Sequence, residues 1–379
     1  MIFDEFSPSR TRRTLTAGGR TLRALGLDGP LTGVLAIIVA IGTLVVYSAS
    51  GQNWKMVEHH LANIGIAVIA MLALAKFATP QYLRLFAPFA YVLGVMLLIV
   101  VELTGHIGKG AQRWLDIGFM RFQPSEIMKL AVPMVCAWYM HERPLPPRFV
   151  DLMAMGVLIA VPTAMIVKQP DLGTALLIAS SGLIVMLFAG LQIRIIVISI
   201  PLVGGAAWAA WHFIHDYQRQ RILTFINPET DRLGTGYHII QSQIAIGSGG
   251  VFGKGWMNGS QAQLEFLPER STDFIFAVIG EEFGLLGQLL VLTLYGVVIG
   301  RALYLAMQAQ DTFARLTGGA IALSFFVYVF VNSGMVSGIL PVVGVPLPLI
   351  SYGGTSMVTL LAGFGILMSL HSHRKLIGS

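Results

Sequence analysis

The chain has 379 residues, 55% of them hydrophobic and 12% charged, with mean hydropathy +0.73 and formal net charge +6. Soluble domains carry about 25% charged residues, so this chain cannot cover itself with polar surface and its main solvent is lipid. A soluble enzyme is excluded, and the basic balance is a signal of membrane topology rather than of nucleic-acid binding, because Lys and Arg sort to one side of the spans.

A bilayer core takes roughly 20 apolar residues per helix, and only helices or closed barrels satisfy their backbone in lipid. Barrel strands would be about 10 residues long and alternating; the runs here are longer and apolar all round. The expected fold is therefore all-α, a polytopic membrane protein of about ten transmembrane helices. The spans are 30–49, 57–76, 82–103, 124–140, 151–168, 172–190, 193–213, 274–300, 314–339 and 347–370. Residues 1–29 form a cytoplasmic arm, and 30–379 form one membrane domain with a large extracytoplasmic loop, about 214–273, between spans seven and eight. No internal repeat is visible.

The arm carries Arg12-Arg13, and Ser48-Ala49-Ser50 resembles a cleavage site. The apolar run between them exceeds a signal peptide's, so the first span reads as an uncleaved anchor. His59 and His60 are adjacent and face apart. The loop before the fourth span holds Lys109, Arg113, Asp116 and Arg121. The fourth span opens Gln123-Pro124-Ser125-Glu126-Ile127-Met128-Lys129-Leu130, which puts Glu126 and Lys129 on one helix face. Ionisable groups inside spans are costly and point to function. This pair either neutralises itself as packing or offers a cation to an anionic group in an outer, water-filled cavity. Cys136 is the one cysteine, so no intrachain disulfide is possible.

The fifth connector, Lys168-Gln169-Pro170-Asp171-Leu172-Gly173-Thr174, faces the same side. Asp171 is equally readable as a helix cap or a cavity residue, and Lys168 as a snorkelling or an anion-binding group. His212 and His215 are spaced for one helix face but lack a carboxylate partner motif. In the long loop, Tyr237–Ile246 has the pattern of an interfacial helix. Gly247-Ser248-Gly249-Gly250-Val251-Phe252-Gly253-Lys254-Gly255 evokes a phosphate loop, but its spacing fails, so flexible turns are expected. The loop ends in Phe266-Leu267-Pro268-Glu269-Arg270-Ser271-Thr272-Asp273, with Asp273 at the edge of the next span. From position alone Asp273 is as readable as a helix cap as it is catalytic. Residues 337–356, with three prolines and several glycines, break the helix near the outer face, either as a simple kink or as a cavity wall.

Orientation follows the basic residues at span ends. Arg10, Arg12, Arg13, Arg20 and Arg23, with Lys76, Arg84, Arg143, Arg148, Arg194, Arg301, Arg315, Arg374 and Lys375, share one side with six acids. The expectation is that both termini are cytoplasmic and the 214–273 loop is outside.

These motifs together make the chain resemble the SEDS family (shape, elongation, division and sporulation). The match runs from residue 30 essentially to the end. It rests on Arg113-Trp114-Leu115, Gln123 to Leu130, Gln169 to Thr174, Tyr237 to Ser242, Ile244 to Gly250, Phe266 to Glu282, and Pro348-Leu349-Ile350-Ser351-Tyr352-Gly353-Gly354. Gly253 to Trp256 and Gly344 to Pro348 resemble the elongation branch rather than the division branch. Ser271 stands where the family often has His. The resemblance implies a peptidoglycan glycosyltransferase of the bacterial inner membrane that polymerises lipid II into glycan during cell elongation and shape maintenance. It implies Asp273 as the catalytic carboxylate, and Arg113, Glu126, Lys129 and Asp171 lining the cavity. It further implies a class B penicillin-binding protein, a transpeptidase, and other elongation-complex proteins as partners.

The residues agree with that chemistry. An attacking sugar hydroxyl needs one base. A polyprenyl pyrophosphate leaves well once its charge is neutralised, by Lys129, Arg113, Lys168 or Arg270, with or without a divalent ion such as Mg²⁺ or Mn²⁺. The alternative reading, a lipid II flippase, would place polar groups at the midplane and on both faces; Glu126, Lys129, Asp171 and Asp273 all map near the outer face.

Overall fold

In the computed structural model, residues 25–104, 106–108, 111–116, 121–192, 235–267 and 269–373 are described, with isolated positions between 194 and 224. The long helices are α1 (Gly29–Ala49), α2 (Trp54–Phe77), α3 (Pro80–Thr104), α4 (Pro124–Met140), α5 (Phe149–Lys168), α6 (Leu172–Phe188), α9 (Ile275–Met307), α10 (Thr312–Val336) and α11 (Gly354–Ser372). Two more, α7 (Thr235–Gly249) and the short α8 (Ser260–Gln263), lie in the polar loop. Seven helices among the described residues are long and apolar enough to cross a bilayer. Helices α4 and α6 have 17 residues each. Only isolated positions of the expected span 193–213 are described, and His212 and His215 lie outside the described residues.

Boundaries differ from expectation at α9, which runs to Met307 rather than 300, and around residues 337–353. The ninth span ends at Val336 and the last begins at Gly354, so residues 337–353 are non-helical where a span from 347 was expected. The prolines at 341, 346 and 348 account for this, since each removes a helix donor. The loop before α4 is also more ordered than expected: β1 (His106–Gly108), β2 (Ala111–Asp116) and β3 (Arg121–Phe122) form a three-stranded antiparallel sheet in the order β1-β2-β3.

Outward-facing side chains such as Ile69, Phe89, Leu103, Val157 and Leu290 are apolar and exposed, as lipid contact requires. The interior has two large apolar clusters. One draws on α1, α2, α7, α9 and α11, the other on α3, α4, α5 and α6, and α10 and α11 contribute to both. Polar contacts sort to the two ends of the bundle. At one end Asp28 caps α1 through the Leu31 amide (3.0 Å) and takes a two-pronged bond from Arg301 (3.0 and 2.7 Å). Burial pushes the Asp28 carboxyl up, but the Arg301 hydrogen bond and the Leu31 amide outweigh it and hold the group below its ordinary range. At the other end Ser48 donates to Glu282. Both Ser48 on α1 and Glu282 on α9 lie about 28 Å along their helices from the Asp28–Arg301 contact.

Helix α9 is broken at Gly284 (φ 66°, ψ −163°). The break frees backbone groups that a bilayer cannot satisfy, and the glycine segment after α7 takes them up. Lys254 and Gly255 amides donate to the Glu281 and Glu282 carbonyls, and Leu285 and Leu286 amides donate to Gly250 and Val251 carbonyls, at 2.9–3.1 Å. The approach is backbone to backbone: a Cβ on Gly249, Gly253 or Gly284 would lie 2.0, 2.2 or 2.4 Å from main-chain atoms. The segment once compared with a phosphate loop is therefore a clasp on a broken helix, not a set of flexible turns. Helix α7 forms as expected, and buries Ile239, Ser242 and Ala245 against the protein, where Ser242 Oγ donates to the Val336 carbonyl (2.8 Å).

Gly253→Val should lower thermal stability in detergent by about 1–3 kcal/mol, because the clasp cannot close over a side chain. An unchanged unfolding temperature would show the clasp to be incidental.

Candidate active site

The site is built at the Ser48–Glu282 end of the bundle. The helix following Asp273 has Phe274 as its N-cap and no acid in its first turn. Asp273 therefore precedes the cap position rather than occupying it. Its main chain is pinned from three sides. Asn332 Nδ2 on α10 donates to the Asp273 carbonyl (2.8 Å) and also to the Val345 carbonyl (2.7 Å). Ser351 Oγ donates to the Thr272 carbonyl (2.6 Å), and the Tyr352 amide donates to the Ser271 carbonyl (2.8 Å). Asp273 Oδ2 faces Gly344, where a Cβ would sit 3.5 Å away. Gly344 adopts φ 73°, which favours glycine. The proline-rich segment 337–353 is thus a wall of the Asp273 site, not a simple kink.

The second group lies one turn deeper. Lys129 Nζ donates to Glu126 Oε1 at 2.6 Å, and both side chains are over 90% buried. The ammonium also lies 5.1 Å from the centre of the Tyr328 ring. Tyr328 and Asn332 are four residues apart on α10 and share a face, so one helix carries the contact to Lys129 and the contact to Asp273, about 6 Å apart along its axis. Glu126 Oε2 and Asn332 Oδ1 are buried without hydrogen-bond partners among the described residues.

Asp171 caps α6 through the Thr174 amide (3.2 Å), so the capping reading holds. Its other oxygen accepts from Gln123 Nε2 (3.2 Å) and lies 3.7 Å from Arg113 Nη1. The strand β2 delivers Arg113, whose guanidinium also donates to the Gln169 and Pro170 carbonyls. Asp171 is close enough to Tyr328 for their charges to interact. Gly173 packs on the wall segment, where a Cβ would meet the Val343 carbonyl at 2.6 Å. Arg113, Glu126, Lys129 and Asp171 thus gather around α10 and the wall, and both also touch Asp273.

Two expected cations are committed elsewhere. Lys168 pairs with Glu102 at the exposed rim. Arg270 bonds the Ala262 carbonyl (2.5 Å) and Glu265 (2.9 Å) within the loop. The side chains of Lys109, Asp116 and Arg121 lie outside the described residues. Among the described residues no three His, Cys, Asp or Glu cluster as a metal cage. His60 is buried and His59 exposed, as their adjacency implies.

Sequence reasoning missed Tyr328, Asn332 and Glu281. The signal was present: Asn332 and Glu281 are fully buried polar residues in apolar helices. Glu281 accepts from Lys254 (2.7 Å), Ser260 (3.1 Å) and the Gln261 and Ala262 amides (2.9 and 3.2 Å), which ties the polar loop to the helix that Asp273 precedes.

A profile of the FtsW, RodA and SpoVE cell cycle proteins matches residues 30–376. The chain belongs to this family, the SEDS proteins. It is 51% identical over 352 residues to the peptidoglycan glycosyltransferase MrdB of Escherichia coli strain K12, covering 93% of this chain and 95% of that one. It is 40% identical to MrdB of Helicobacter pylori over 75% of each. Among solved structures it resembles a chain of a peptidoglycan synthase complex that coordinates polymerization and crosslinking (TM-score 0.81, 31% identity, 92% of this chain and 98% of that one). It also resembles the Thermus thermophilus rod shape determining protein RodA (TM-score 0.70, 29% identity, 92% and 97%). The MrdB proteins and RodA are RodA-type members of the family, the branch the motifs suggested.

Asn332→Leu keeps the branched shape but removes the donor shared by the Asp273 and Val345 carbonyls. It should cost about 1–3 kcal/mol per orphaned group and lower turnover, read as a reduced unfolding temperature together with slower glycan synthesis. Normal values for both would remove Asn332 from the site.

Proposed function

We propose that this protein is a peptidoglycan glycosyltransferase that polymerises lipid II, with Asp273 as general base. The observation that carries this reading is a carboxylate held by its backbone at the end of the bundle, with a buried, paired ammonium one turn deeper on the same helix contact.

The acceptor sugar's 4-hydroxyl gives its proton to Asp273 as its oxygen bonds to the donor's anomeric carbon. The bond from that carbon to the pyrophosphate oxygen breaks, and the carbon inverts. The electron pair leaves on the polyprenyl pyrophosphate, so no acid is required, unlike glycosidases with their two carboxylates. Lys129 and Arg113 neutralise the departing anion. Glu126 and Asp171 hold these cations in place. A divalent ion, where bound, would supply further charge neutralisation to the pyrophosphate.

The protein sits in the bacterial inner membrane with both termini cytoplasmic and the Asp273 end outside. The sorting of Asp28–Arg301 to one end and Arg113–Asp171 to the other supports a consistent two-sided topology. A class B penicillin-binding protein is its partner, together with other elongation-complex proteins. Similarity to a chain of a solved synthase complex supports this. A flippase is disfavoured because the described site charges gather at one end of the bundle.

Asp273→Asn keeps the shape and loses basicity, so glycan synthesis from lipid II by purified protein should fall about 10²–10⁴-fold with lipid II binding retained. Wild-type synthesis would sink the assignment. Lys129→Ala should abolish or greatly reduce polymerisation in inserted protein. Full activity of a Glu126→Gln, Lys129→Met double variant would make the pair structural. Reporter fusions near residue 260 should give an external signal; a cytoplasmic signal there would overturn the orientation.

A further inference from the structure

At the end of the bundle opposite Asp273, a cavity of about 370 Å³ is lined by Thr79, Gln81, Arg84, Gln310, Asp311 and His373 among others. It lies where the α2–α3 elbow, the α9–α10 elbow and the end of α11 converge. Arg84 and Asp311 are both half-buried in its lining, yet neither forms an ion pair with the other or with any described residue. Two opposite charges in one cavity that do not pair describe a ligand carrying both signs. A simple anion would meet Arg84 but be repelled by Asp311, and a simple cation the reverse.

We infer that this cavity binds the zwitterionic headgroup of a phosphoethanolamine lipid. The phosphate goes to Arg84, with the Gln81 amide and the Thr79 hydroxyl as further donors. The primary ammonium goes to Asp311, with the Gln310 side-chain oxygen as a second acceptor. The position suits a lipid rather than a soluble ligand. The cavity is at the membrane-boundary end of the helices, and the same α2–α3 elbow borders an apolar groove of about 580 Å³ lined by Phe77, Tyr82, Phe86 and Met134, which suits an acyl chain. Flanking Lys76 and Arg315 are exposed at this end and add attraction for phosphate. The ligand would also have a structural task. A headgroup bridging Arg84 on α3 to Asp311 before α10 fastens the α2–α3 elbow to the α9–α10 elbow.

The test uses full-length protein purified in detergent, with phosphatidylethanolamine, phosphatidylglycerol or phosphatidylcholine added back. Native mass spectrometry counts retained lipid and thermal unfolding measures stabilisation. Phosphatidylethanolamine should be retained and should stabilise most, because of the three only its headgroup brings Asp311 a positive charge that also donates hydrogen bonds while its phosphate meets Arg84. Asp311→Asn, nearly isosteric, should abolish the preference over phosphatidylglycerol, a loss of about tenfold in retention. Arg84→Ala should weaken both lipids. Equal retention of the three lipids by the wild type, or an unchanged preference in Asp311→Asn, would overturn the proposal. Full stabilisation by soluble phosphoethanolamine would overturn the lipid assignment.

Discussion

A bilayer offers no hydrogen bonds to a helix that stops or bends inside it, and that constraint organises this protein. Two irregular stretches are built at the Asp273 end of the bundle, and each has its own internal supply of partners. The break at Gly284 is closed by the glycine segment 249–255, amide to carbonyl. The wall at 337–353 is closed by Asn332, Ser351 and the main chain of Ser271 and Thr272. Glycine is required at 249, 253 and 284 because the two backbones meet with no room between them.

The same constraint shapes the site's electrostatics. A lone ammonium at the Lys129 position would be too costly to bury, so Glu126 accompanies it three residues earlier on the same helix. Arg113 arrives from a strand rather than a helix and is held by carbonyls of the Gln169-Pro170 turn as well as by Asp171. Tyr328 and Asn332 make α10 the common reference for both the cationic group and the Asp273 backbone. A shift of α10 would therefore move Asp273 and Lys129 together.

The polar loop is joined to this machinery through one buried acid. Glu281 takes the Lys254 ammonium, the Ser260 hydroxyl and the first amides of α8. The helix segment between Asp273 and Gly284 thus has the wall on one side and the loop on the other. Whatever positions the loop acts on the short helical segment that follows Asp273.

Much of this was legible in the sequence. Apolar runs gave the helices, since only a lipid-solvated chain has so few charges. The i,i+3 spacing placed Glu126 beside Lys129, and the prolines announced the break at 337–353. The motifs identified the family and the candidate residues. The contacts that assemble them were not legible. Asp171 is both a cap and a partner of Arg113, and no local pattern distinguishes the two uses. Asn332 looks like one polar residue in an apolar helix until its amide is seen to bridge Asp273 and Val345. The glycine segment looked like flexible turns because its partner, the broken turn of α9, lies some thirty residues away. Sequence by itself determined the solvent, the helices and the chemistry on offer, because those depend on composition and near-neighbour spacing. Tertiary structure alone decided which irregular backbone is closed by which, because those hydrogen bonds join groups far apart in the chain.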